Sequence, residues 1–141
     1  MEQACTLYPY NKIVWAHTGV SYEQKTLPAS EHIAILSRLL DQHPNLIIDI
    51  SWRVLEDHYF SKWGNRDLYV DFMNQYAERI LPGSDFVAFR GNNFGVYQQE
   101  LEVTSRIFQS LDDNAFRRIA LGENYFDLLN LDYQAPMVCQ R

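Results

Sequence analysis

Three short apolar runs punctuate the chain, and helical patterns fill the intervals between them. Lys12 to Ala16 is almost wholly apolar; it stops on His17 and turns at Gly19. Leu46 to Ile50 is the second run and continues into Ser51 and Trp52. Ile80 to Asp85 is the third, and it contains Pro82. Proline removes a ladder donor, so it belongs at a strand end or an irregularity. Continuous apolar runs of this length fit parallel strands covered on both faces.

The intervals carry helical signals. A helix is predicted from about Pro28 or Ser30, with Ser30 as its N-cap and Glu31 in the first turn. Ile33, Leu36, Leu39 and Leu40 then share one face, and Pro44-Asn45 closes the helix. Trp52 to Asn65 reads as a short helix and a loop. Asp67 is the expected cap of a further helix with Leu68, Phe72, Tyr76 and Ile80 as its stripe. Val96 to Leu111 reads as helix. Asp112, Asp113 or Asn114 caps another that runs to Leu121. Gly122 breaks it, and Glu123 to Leu129 gives a last turn or two. Glu2 to Leu7 reads as a helix end stopped by Pro9, Thr18 to Leu27 as a loop, and the tail beyond Leu131 as irregular.

Strand and helix in alternation predict an α/β fold of parallel strands joined by right-handed crossovers. The C-terminal ends of such strands form the ligand-facing rim. A complete (β/α)8 barrel has eight strands and about 250 residues. Three strands amount to part of a TIM barrel, as one domain over residues 1–141.

Composition narrows the partners. A chain of 141 residues, 47% of them hydrophobic, is long enough to bury a real core. The net charge is −6, the signs are mixed and no basic run occurs, so nucleic acid is not an expected partner. Cys5 and Cys139 lack CxxC spacing and read as ordinary reduced thiols. No apolar stretch approaches the roughly 18–20 residues a membrane span needs. No signal peptide is evident, and the cytoplasm is the expected compartment. A glycine-rich phosphate loop, a GxSxG elbow and an HExxH helix are all missing, which argues against nucleotide, serine-hydrolase and zincin chemistry.

The chemistry sits at the strand ends. His17 is placed where a neutral imidazole can ligate a metal or move a proton near neutral pH. It fits equally well as a rim histidine satisfied by a backbone carbonyl. Asp85 alone reads as a turn cap in Gly83-Ser84-Asp85; with a metal nearby it can bind the ion or take a proton from its water. The interval from His17 to Asp85 leaves room for two βα units, which would bring both onto one rim. Asp49 points inward or pairs locally, and Ser51 and Trp52 can shape a pocket. Arg90 has the fork to hold a substrate carboxylate, or else lies on the surface.

Four segments in register resemble one family. Ile13 to Gly19 (IVWAHTG), Asn45 to Trp52 (NLIIDISW), Leu81 to Phe86 (LPGSDF) and Gly122 to Phe126 (GENYF) resemble the C-terminal part of the amidohydrolase superfamily, in its amidohydrolase-related branch. The resemblance implies a metal-dependent TIM barrel, usually a hydrolase. His17 would be the histidine after the sixth strand, as catalytic acid or base or as metal ligand. Asp85 would be the metal-binding, water-activating aspartate after the eighth. Trp52 and Arg90 would line the substrate site, and Glu123-Asn124 would pack in the closing helix. The implied cofactor is a divalent metal, zinc by preference, and the implied substrate is a small organic molecule.

The family's HxH strand and its fifth-strand histidine have no counterpart here. Catalytic zinc takes three protein ligands plus water, so the chain alone is expected to be inactive. An incomplete barrel also exposes two sheet edges, which calls for a complementary N-terminal half, self-association, or rearrangement into an open sheet. A truncated gene product, a separate barrel-completing subunit and a non-catalytic remnant all fit the sequence.

Overall fold

A computed structural model describes residues 1–21, 26–89 and 91–137. Helix α1 (Glu2–Leu7) leads into β1 (Ile13–Trp15), which ends in a tight turn at Ala16–Gly19. The loop expected over Thr18 to Leu27 includes residues 22–25, which lie outside the described residues.

Helix α2 (Ala29–Gln42) begins one residue before Ser30, with Pro28 in the capping position. Ser30 therefore lies within the first turn and is no cap. Its buried face is Ala29, His32, Leu36, Leu39 and Leu40, while Ile33 packs at the margin of the core. Strand β2 (Leu46–Asp49) follows. Helix α3 (Arg53–Leu55) widens into a π turn at Glu56–Phe60.

Helix α4 (Asn65–Gln75) starts after Gly64, whose φ of 77° suits a glycine. Asp67 lies in its first turn and does not cap it. The buried stripe is Tyr69, Phe72 and Met73, whereas Leu68 is 43% exposed. Of the expected stripe, Phe72 and Ile80 are buried and Tyr76 packs against the core, while Leu68 turns outward and Tyr69 is buried beside it. Ile80 belongs to β3 (Ile80–Leu81), which is only two residues long. The strand does not continue to Asp85: its last ladder bond is from the Ile50 amide to the Leu81 carbonyl, and Pro82 faces away from β2, its carbonyl accepting from the Tyr125 hydroxyl.

Helix α5 (Phe94–Ser105) is capped by Asn93, whose Oδ1 accepts from the Gly95 and Val96 amides. It tightens into a 3₁₀ turn at Arg106–Ser110. Asp112 caps α6 (Asp113–Ala115) by accepting from the Ala115 amide at 2.7 Å. A π turn at Phe116–Ala120 and Gly122 at φ 82° lead to α7 (Glu123–Leu128).

The three strands form one parallel sheet in the order β1-β2-β3. Ile13, Val14 and Trp15 pair with Leu46, Ile47 and Ile48, and Ile48 and Asp49 pair with Ile80 and Leu81. Side chains alternate between faces along a strand. Leu46, Ile48, Ile50 and Ile80 join the main core together with Leu36, Leu39, Leu40, Tyr69, Phe72 and Met73 of α2 and α4. Val14, Ile47, Asp49 and Leu81 fall on the opposite face. Ile47 and Leu81 are buried outside the main core, and Val14 is 41% exposed. The helical core thus lies against one face of the sheet.

Polar side chains fasten the connections. The Asn45 amide donates to the carbonyls of Cys5, Tyr8 and Asn11 and ties α1 to the start of β2. Arg79 donates to the carbonyls of His43 and Leu46, and the buried Asn124 donates to those of Ala77 and Ile80. Cys5 is a buried free thiol, and Cys139 lies outside the described residues. Among the described residues no helix is long and apolar enough to cross a membrane.

Candidate active site

His17, Trp52 and Asp85 lie two, three and four residues beyond the ends of β1, β2 and β3, all at positive φ. Their φ angles are 57°, 84° and 56°, and Thr18 is at 51°. Only one other described non-glycine residue, Asn130, has positive φ. Such conformations cost about 1–3 kcal/mol each and persist where surrounding contacts hold them. Here the holding contacts can be named.

Asp49 is the hub. Its Oδ1 accepts from the His17 backbone N–H at 2.9 Å, from the Ser51 N–H at 3.1 Å and from the Ser51 hydroxyl at 2.5 Å. Ser51 Oγ lies 2.9 Å from His17 Nδ1. The Thr18 hydroxyl donates to the His17 carbonyl at 2.6 Å, and the Val20 amide donates to the same oxygen at 2.9 Å. Gly83 lets the end of β3 approach this cluster, since a Cβ there would sit 2.7 Å from the Ser51 Cβ.

This arrangement fixes the proton on His17. A carboxylate only accepts, so the single Ser51 hydroxyl hydrogen goes to Asp49. Ser51 Oγ is then an acceptor for His17, and Nδ1 carries the hydrogen. Nε2 is left with a free lone pair, the state needed to ligate a metal or accept a proton.

Nε2 faces Asp85. Its distance to Asp85 Oδ1 is 3.9 Å, too long for a direct hydrogen bond. The two side chains are 28% and 40% exposed, so the gap between them is open to a ligand. The Trp52 ring lies 5.2 Å from the His17 ring at a 50° tilt. Trp52 and Asp85 also border an open groove of about 430 Å³, with Phe86, Val87, Phe89 and Asn92 along it. Arg53, beside the groove, is ion-paired with Asp57 at 3.4 Å and Glu100 at 3.7 Å. Tyr125 of α7 donates to the Pro82 carbonyl at 2.8 Å; burial, and then the Asp49 charge, raise its pKa above the usual tyrosine value.

The fold therefore gathers His17, Trp52 and Asp85 on one rim. Arg90 lies outside the described residues. Among the described residues no three His, Cys, Asp or Glu side chains form a metal-binding group. Sequence reasoning missed the link through Ser51, whose signal was its spacing two residues from Asp49, on the same side of an extended chain. It also gave His32 no role. That residue bonds to Tyr69 and to the Thr18 carbonyl directly behind His17.

Comparisons of the chain with protein-family models, with curated proteins and with solved structures find no match.

Proposed function

We propose that this chain is the C-terminal sector of a metal-dependent hydrolase barrel of the amidohydrolase type, with His17 and Asp85 as its contribution to the reaction centre. The observation that carries the reading is the pair itself. Nε2 of an oriented imidazole faces a carboxylate at 3.9 Å, at the C-terminal ends of parallel strands. Sheet order supports it as well. Consecutive parallel strands in the order β1-β2-β3 match a barrel sector.

The donors fit a divalent ion such as zinc. An imidazole nitrogen and a carboxylate oxygen are ordinary zinc ligands, and His17 and Asp85 would be the residues of this chain that hold such an ion. When bound there, such an ion would supply a polarised water as nucleophile for attack on a small organic substrate. Catalytic zinc takes three protein donors. On this reading the others come from strands that complete the barrel, in a longer polypeptide or a second chain.

The chain's own residues have defined tasks. Asp49 and Ser51 hold the proton on His17 Nδ1 and aim Nε2 into the rim. Asp85 offers a second acceptor across the gap. Trp52 walls the groove beside them.

Sequencing the DNA upstream of the Met1 codon tests the reading. An HxH strand and a further strand-end histidine, in frame or one frameshift away, would support it. In the assembled barrel, His17→Asn and Asp85→Asn should each cut turnover by at least about 100-fold, the scale of a lost acid or base. Unchanged turnover in the double variant would assign this chain a structural role instead.

A further inference from the structure

The turn that carries His17 is held from behind by another histidine. His32 lies on α2, is 5% exposed and lines no part of the groove. Its Nε2 is 3.0 Å from the Thr18 carbonyl oxygen, and its Nδ1 is 2.6 Å from the Tyr69 hydroxyl. A carbonyl only accepts, so Nε2 carries the hydrogen and Nδ1 accepts from Tyr69. The Tyr59 ring stacks on His32 with centroids 5.2 Å apart and a 26° interplanar angle. Every polar atom of the neutral imidazole is thereby satisfied.

We propose that His32, backed by Tyr69, is a positioning residue for His17. The argument runs through Thr18. A β-branched residue at φ 51° is strained and relaxes toward negative φ unless something holds it. The His32 N–H fixes the Thr18 carbonyl. The Thr18 hydroxyl fixes the His17 carbonyl, and Asp49 fixes the His17 amide. Released at its rear, the turn swings His17 Nδ1 away from Ser51 and frees the proton to move to Nε2. His32 thus governs which nitrogen of His17 is available, without touching substrate. The functional weight of this rests on the reading of His17 as a site residue; the geometry does not.

Long-range ¹H–¹⁵N correlation spectra of the histidine side chains, taken on the full chain without added metal, test it. The expected result is His32 as the Nε2–H tautomer and His17 as the Nδ1–H tautomer, the form that free histidine disfavours. In His32→Leu, the His17 pattern should shift to the solution mixture dominated by Nε2–H. His32→Gln, whose amide nitrogen can donate to Thr18, should restore the Nδ1–H pattern. An unchanged His17 pattern in folded His32→Leu would overturn the proposal. So would a failure of His32→Gln to restore it, which would place the effect in packing. A His32 Nδ1–H tautomer in the unsubstituted chain would overturn it too, and that result needs no variant to fold. No metal enters the experiment, so its outcome is separate from that of the hydrolase reading.

Discussion

At the scale of single residues, the account turns on where protons sit. Ser51→Ala removes the group that passes Asp49's preference to His17. Nδ1 and Asp49 Oδ1 both lose a partner in a half-buried setting, so a stability loss of about 1–3 kcal/mol is expected by urea denaturation. If the proposed hydrolase reading holds, the same change should cost about 10–100-fold in metal affinity or activity of the completed barrel, the scale of outer-shell partners of ligating histidines. His32 sets a pH dependence. Burial lowers its pKa below the usual histidine value, against the opposing pull of the Thr18 carbonyl bond. The unfolded chain, with its histidine near 6.5, then takes up the proton first. Stability is full above that value and falls as pH drops below it, by at most about 1.4 kcal/mol per pH unit. Among the described residues Tyr59, Tyr69 and Thr18 face the ring, and none of the three carries charge in this range. Urea midpoints between pH 7 and 5 should decline in the unsubstituted chain and decline less in His32→Gln.

At the scale of elements, close contacts hold the three strand ends together. Gly83→Ala would drive a methyl against the Ser51 Cβ, 2.7 Å away, and push Ser51 off His17. A loss of about 1–3 kcal/mol is expected, together with a changed His17 signal by NMR. Asn124 tethers α7 to the chain before and within β3. Asn124→Ala strands two carbonyls and should also cost about 1–3 kcal/mol in urea midpoints. Much of this layer was legible in the sequence. β1 and β2 announce themselves as continuous apolar runs, although Leu46, Ile47 and Ile48 of β2 are buried while β1 is only partly so, with Val14 41% exposed. The sequence over-extends β3 because the residues beyond Leu81 look strand-like, whereas the ladder to β2 stops at the Leu81 carbonyl. The stripe of α4 departs from the expected one at Leu68 alone, which is 43% exposed although a good core residue by type, while Tyr69 is buried beside it. His17 and Asp85 were readable as strand-end residues. The Asp49–Ser51–His17 chain was not, because it depends on the β1–β2 register. His32 was hidden for a similar reason: on an apolar helix face it resembles any core position until Thr18 and Tyr69 are brought to it.

At the scale of the whole molecule, no further strand among the described residues pairs with either edge of the sheet, and Val14 shows apolar surface on the face opposite the main core. Edges of this kind invite pairing. Sedimentation of the purified chain should show association that depends on concentration; a monomer at all concentrations would argue against an open barrel sector. The same chain should show no zinc-dependent hydrolysis by itself, because two donors fall short of a catalytic set. His17 and Asp85 face one gap, with Nε2 and Oδ1 3.9 Å apart, and the proposed function requires it to take a divalent ion. Zinc titration of the chain, followed through the ¹⁵N signals of its histidines, tests that requirement most directly. The expected result is a shift at His17 Nε2 that leaves His32 unmoved and is weakened by Asp85→Asn. A His17 signal that stays fixed at millimolar zinc, or moves equally in Asp85→Asn, would contradict it.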